Sequence, residues 1–134
     1  DVTVSPGQID LPTINPTENG TATTPIVVTN TANSNVPINI SVNGSNFVSG
    51  GNEIIITNLR MRANPTMPDA SAFVDPHYIS TTMQTCSASL FSLGQNCYNV
   101  PVNSNVSLWF NLYVPGGTLA GTYTTSLTIK ADRA

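Results

Sequence analysis

The sequence predicts an all-β protein, a single antiparallel β-sandwich over residues 1–134. Two observations predict it. Apolar residues recur with a period of two in short runs, and turn formers separate those runs throughout the chain. Helical spacing of apolar residues is absent. Seven or so short strands with frequent turns, in a chain of 134 residues, suit a two-sheet sandwich built around one core.

The elements follow in order. Val2 and Val4 share a face before the Pro6-Gly7 turn, and Ile9 and Leu11 share a face before Pro12. Pro25–Thr29 reads as a compact apolar strand, ended by the polar run NTANSN. Ile38, Ile40 and Val42 share a face and stop at Asn43-Gly44. Glu53–Leu59 reads as a strand after Gly50-Gly51. Val106, Leu108, Phe110, Leu112 and Val114 form the longest alternation, and Tyr123, Leu127 and Ile129 carry the last strand. Residues 60–101 are less regular. Pro65, Pro68 and Pro76 each remove a main-chain donor there. Short strands are expected at 72–74, 78–82 and 87–91. A stretch this long must be an ordered excursion. It is expected to be packed by Phe73, Tyr78, Met83 and Phe91 and pinned by Cys86–Cys97.

Composition excludes several roles. Only 8% of residues are charged and the net charge is −3, while Thr, Ser and Asn supply 47 of 134 residues. Four basic residues cannot neutralise a phosphate backbone, so no nucleic-acid partner is expected. No apolar run reaches the roughly 18 residues of a membrane span, so no membrane insertion is expected. The two cysteines, Cys86 and Cys97, enclose ten residues including Gly94. That loop closes readily, and a disulfide across it contributes about 3 kcal/mol by loop entropy. An oxidised pair and a strand-like DVTV at the first positions, read as the product of signal-peptide removal, give an expected extracellular location.

Four Asn-x-Ser/Thr sequons occur, at Asn19, Asn39, Asn43 and Asn105. Asn39 and Asn43 fall on the face opposite Ile38, Ile40 and Val42, Asn19 in an expected turn, and Asn105 just before a strand. All are placed for glycans, which would supply the hydration that charge does not.

Catalytic chemistry is hard to assemble, and no enzyme activity is expected. His77 stands alone and no G-x-S-x-G elbow accompanies it. Asp69 and Asp75 lie six residues apart in a Pro-rich loop, with no periodicity to pair them as catalytic carboxylates. The chain has no D-x-D-x-D-G calcium loop. No cofactor and no metal are expected. On the strand that ends at Val114, Trp109 and Tyr113 point away from the apolar face. They stand either beneath the excursion, in a subunit contact, or on a sugar. Sheet edges lack charge protection, because Lys130 is the sole lysine.

The segments VTVSPGQIDLP and TPIVVTNTANSNVPINISVNGSNF resemble the first half of the immunoglobulin-like domains common in archaeal cell-surface proteins. YVPGGTLAGTYTTSLTIKA resembles their last hairpin. The excursion at 60–101 departs from that pattern. A domain of this type is also similar to the small subunits of archaeal extracellular filaments, the threads and bundling pili. That resemblance implies a homopolymer in which residues 1–12 leave their own subunit and complete the next sandwich. Val2, Val4, Ile9 and Leu11 would be the buried side chains of the donated strand. A monomeric surface adhesion or carbohydrate-binding domain is the competing expectation.

Overall fold

The computed structural model describes residues 1–134 and is all-β with antiparallel sheets. The strands are β1 (Val2–Ser5), β2 (Asn19–Thr21), β3 (Ile26–Asn30), β4 (Ile38–Gly44), β5 (Phe47–Ser49), β6 (Asn52–Ile54), β7 (Leu59–Ala63), β8 (Gln84–Thr85), β9 (Ser104–Tyr113) and β10 (Leu127–Arg133). One sheet runs β1-β3-β9-β7, with β2 beside β3 on the same edge of β9. The second runs β10-β4-β8. The β5–β6 hairpin is tied to the approach to β10 by paired bonds between Val48 and Thr124.

Alternation sets the core. Val28, Val106, Leu108 and Phe110 face inward from the first sheet, and Ile38, Ile40 and Val42 from the second, all buried. Full burial of each contributes about 1.5–3 kcal/mol. The outer face of β4 and β10 is polar: Asn39 pairs with Asp132, Ser41 with Lys130 and Asn43 with Thr128.

Several expected strands are corrected. Ile9 and Leu11 belong to no strand. Glu53–Leu59 breaks into the end of β6, a 3-10 turn at Ile56–Asn58 and the start of β7. The turn reverses the chain between the hairpin and the large sheet. The expected excursion begins too early at 60, because Arg60–Ala63 is strand in β7, paired with Leu108–Asn111 of β9. Residues 70–72 form a 3-10 turn, and the 78–82 and 87–91 segments make isolated bridges rather than strands. Phe73 and Phe91 are buried within the excursion, whereas Met83 is exposed.

Residues 64–103 close one side of the sandwich. The excursion first extends the free edge of β7: Met61 N–H donates to His77 O, Ile79 N–H to Leu59 O and Ala63 N–H to Phe91 O. It then extends the free edge of β4 through β8 and a bridge between Ile38 and Val100. The disulfide sits at that second edge. Cys86 N–H donates to Ile40 O at 2.8 Å, and Ile40 N–H donates to Cys97 O at 3.1 Å. Cys86 and Cys97 are joined, with Cα atoms 5.5 Å apart. Both halves of the bridge are therefore held on one residue of β4.

Candidate functional site

The opposite side of the sandwich, between β1 and β10, is closed differently. β1 folds onto its own β3, with Val2 opposite Asn30 and Val4 opposite Val28. Asp1 is tied down as well: its amino group donates to Ser34 Oγ, and Thr31 N–H donates to its carbonyl. The chain then leaves the sheet at Pro6-Gly7. Residues 6–14 make no main-chain to main-chain hydrogen bond at all. This strap is held by side chains, since Ile9, Leu11 and Ile14 pack half-buried on the core. Its end lies tight against β2. A Cβ at Gly20 would stand 2.8 Å from Pro12 Cγ and 2.9 Å from Ile14 Cγ1.

Across from the strap, β10 pairs with β4 on one edge only, and its other edge makes no main-chain hydrogen bond. Leu127, Ile129 and Ala131 alternate inward, yet each is only half-buried. Between strap and strand runs a groove of about 880 Å³, lined by Ile26, Phe110 and Leu112 from one sheet and Leu127 and Ile129 from the other. Val4 opens onto it and is 45% exposed, although it registers against fully buried Val28. An apolar groove beside an unpaired strand edge can accept main-chain hydrogen bonds and alternate side chains together.

The residues named from the sequence are placed as follows. In the single chain Val2, Val4, Ile9 and Leu11 lie in cis, the first two in β1 and the others in the strap. Trp109 is corrected as a contact residue. It is 7% exposed, its indole N–H donates to Asn64 O at 2.8 Å, and the excursion covers it. That removes it from both a subunit contact and sugar stacking. Tyr113 is half-buried beside Asn19. Alternation put Trp109 on the outer face; only the packing of a distant segment decides that the face is covered. Alternation marks neither Ile14 nor Gly20, nor that the inner face of β10 stays half-open. The Pro12-x-x-x-Pro16 spacing around Ile14 was the available signal, since two prolines discourage a paired strand.

Beneath the excursion the polar groups serve the fold. Arg62 is buried opposite Trp109 and donates to the carbonyls of Ala72 and Ser92, with no carboxylate partner. Desolvation lowers its pKa from an ordinary value so high that it remains a cation. His77 is buried and its Nδ1 accepts the Phe91 N–H. Burial, and then the charge of Arg62, hold the His77 pKa below its ordinary value. Asp75 pairs with Arg60 at 2.9 Å and Asp69 is exposed.

No family model and no curated protein matches the chain. Among solved structures, the fold is similar to part of a family 123 glycoside hydrolase from Clostridium perfringens, an enzyme of glycolipid glycan hydrolysis. The TM-score is 0.53 at 20% identity, over 87% of this chain and 19% of that one. The likeness is one of fold. The chain thus spans about a fifth of the enzyme it matches. No helix is long and apolar enough to cross a membrane.

Proposed function

We propose that this protein is a structural subunit of an extracellular filament, polymerising head-to-tail by donating its N-terminal strand to the next subunit. The observation that carries the reading is the contrast between the two sides of the sandwich. One side is closed by main-chain ladders and a disulfide; the other is closed by a strap with no main-chain bond, beside the unpaired edge of β10. The strap's main chain gives up no protein partner when it leaves, whereas β1 must exchange its ladder on β3 for one on the neighbour. A strand laid along β10 would gain a ladder and bury Leu127 and Ile129. In a filament, Val2, Val4, Ile9 and Leu11 would fill the neighbour's groove while their own groove receives another copy. Each subunit then gives one strand and accepts one, so the contact does not close on itself and propagates.

The test is deletion of residues 1–12, read by negative-stain microscopy. The truncated chain is expected to stay soluble and to bind an added peptide of sequence DVTVSPGQIDLP. Fibres from the truncated chain refute strand donation. A second variant, Ile9→Asp with Leu11→Asp, keeps the length of the chain and is expected to abolish fibres while the disulfide still forms.

A further inference from the structure

The four sequons are not equivalent once folded, and the structure separates them into two pairs. Asn39 and Asn43 lie in β4, which is laddered on both edges. The hydroxyl residue of the first sequon, Ser41, is buried and bonded to Thr85 Oγ1 at 2.8 Å, and Asn39 Oδ1 accepts the Asn99 N–H. The second sequon is stitched at each of its positions. Asn43 Nδ2 donates to Thr81 O, Gly44 N–H donates to Ser80 O, and Ser45 Oγ bonds with Thr125 Oγ1.

Asn19 and Asn105 are different. Both are exposed, where Asn39 and Asn43 are half-buried; a free amide nitrogen is a feature they share with Asn39, which is bonded through Oδ1 alone. Asn19 Oδ1 and Thr21 Oγ1, the hydroxyl of its sequon, both accept from Asn111 Nδ2, which leaves the Asn19 nitrogen free. The Asn105 side chain has no hydrogen bond; β7 reaches β9 only from Leu108 onward, and on that side the excursion binds the sequon at Ser107, whose N–H donates to Gln95 Oε1 and whose carbonyl accepts the Asn64 N–H.

Their placement adds a second argument. Asn105 shares the outer face of β9 with Ser107, Trp109, Asn111 and Tyr113, and Asn19 registers opposite Tyr113. The two asparagines therefore mark the two ends of one sheet face, on the order of 26 Å apart at the rise of a strand. The excursion covers the middle of that face, at Trp109 and Arg62. Neither asparagine borders the groove beside β10.

We propose that Asn19 and Asn105 are N-glycosylation sites and that Asn39 and Asn43 stay bare. The donor is a saccharide linked through its anomeric carbon to a lipid phosphate or pyrophosphate, used by a transferase of the producing cell. The amide Nδ2 forms a bond to that carbon. The carbon–oxygen bond to phosphate breaks, its electron pair leaves with the lipid phosphate, and Nδ2 loses one proton to a base of the transferase. Glycans at these positions hydrate the two ends of the outer face that the excursion leaves open. In a chain with 8% charged residues, that surface has few other means of staying apart from its neighbours.

The test is peptide mapping by mass spectrometry of the protein purified from its native cells, together with its intact mass. The expected result is carbohydrate on the peptides containing Asn19 and Asn105, none on those containing Asn39 and Asn43, and an intact mass above 14.1 kDa. A bare Asn19 or a bare Asn105 overturns the proposal. So does carbohydrate on Asn39 or Asn43. The outcome is independent of strand donation, which the deletion of residues 1–12 addresses.

Discussion

His77 Nδ1 accepts the main-chain N–H of Phe91 at 2.8 Å, and both residues are buried. The bond holds an unusual backbone. Phe91 has φ of 70°, a left-handed conformation that a bulky side chain rarely adopts and that costs on the order of 1–3 kcal/mol. Its carbonyl accepts from Ala63 N–H, so Phe91 is fixed at both main-chain groups.

This arrangement predicts acid sensitivity with a definite sign. The folded state holds the His77 pKa down, through burial first and Arg62 second. The unfolded chain takes up the proton near the ordinary value of about 6.5. Stability is therefore full above about pH 6.5 and falls as pH drops below it toward the depressed folded value. Protonation also turns the acceptor nitrogen into a donor facing the Phe91 N–H. Thermal unfolding followed from pH 7 to pH 5 should show a falling midpoint. His77→Gln, which has an acceptor but does not titrate in this range, should flatten that dependence. An equal pH slope in both proteins would sink the assignment.

Reduction of Cys86–Cys97 should destabilise the side of the sandwich closed by the excursion. Its sequence separation is 11, and a loop of that size carries about 3 kcal/mol of closure entropy. Cys86→Ser with Cys97→Ser should lower the denaturant midpoint by a matching amount. The amides of Ile40 and Val100 should lose exchange protection, because Ile40 N–H donates to Cys97 O and Val100, three residues after Cys97, donates to Ile38 O. An unchanged midpoint would show that the ladder alone holds the excursion.

Trp109 supplies an internal reporter. As the sole tryptophan it should emit at short wavelength and resist iodide quenching until the protein unfolds. Trp109→Phe loses the bond to Asn64 O and leaves that carbonyl to find water, at a cost of about 1–3 kcal/mol. Efficient quenching in the native protein would mean that the excursion does not cover the sheet.

Gly20→Ala tests the strap without touching it. The added methyl group would meet Pro12 and Ile14 well inside van der Waals contact, and the strap is the softer partner. Limited proteolysis within residues 6–16 should accelerate, while the unfolding midpoint changes little. If cleavage is unaffected, the strap is anchored by more than its three apolar side chains.

What the sequence determined by itself was local and periodic. A period of two assigns each side chain of β3, β4 and β9 to a face, because the pleat alternates whatever the partner is. The pairing of Cys86 with Cys97 was legible for a similar reason, since a short loop closes on itself. Tertiary structure decided everything that depends on a distant segment. Ile9 and Leu11 alternate like a strand, yet residues 6–14 make no main-chain hydrogen bond and pack through side chains alone. Trp109 faces outward and is still buried, because residues 64–103 return across it. Two sequons of four have an exposed asparagine, while Asn39 and Asn43 are half-buried and bonded by Asn99 and Thr81. Alternation states which way a side chain points. Which edge is paired and which face is covered follow from main-chain hydrogen bonds and packing between residues far apart in the chain.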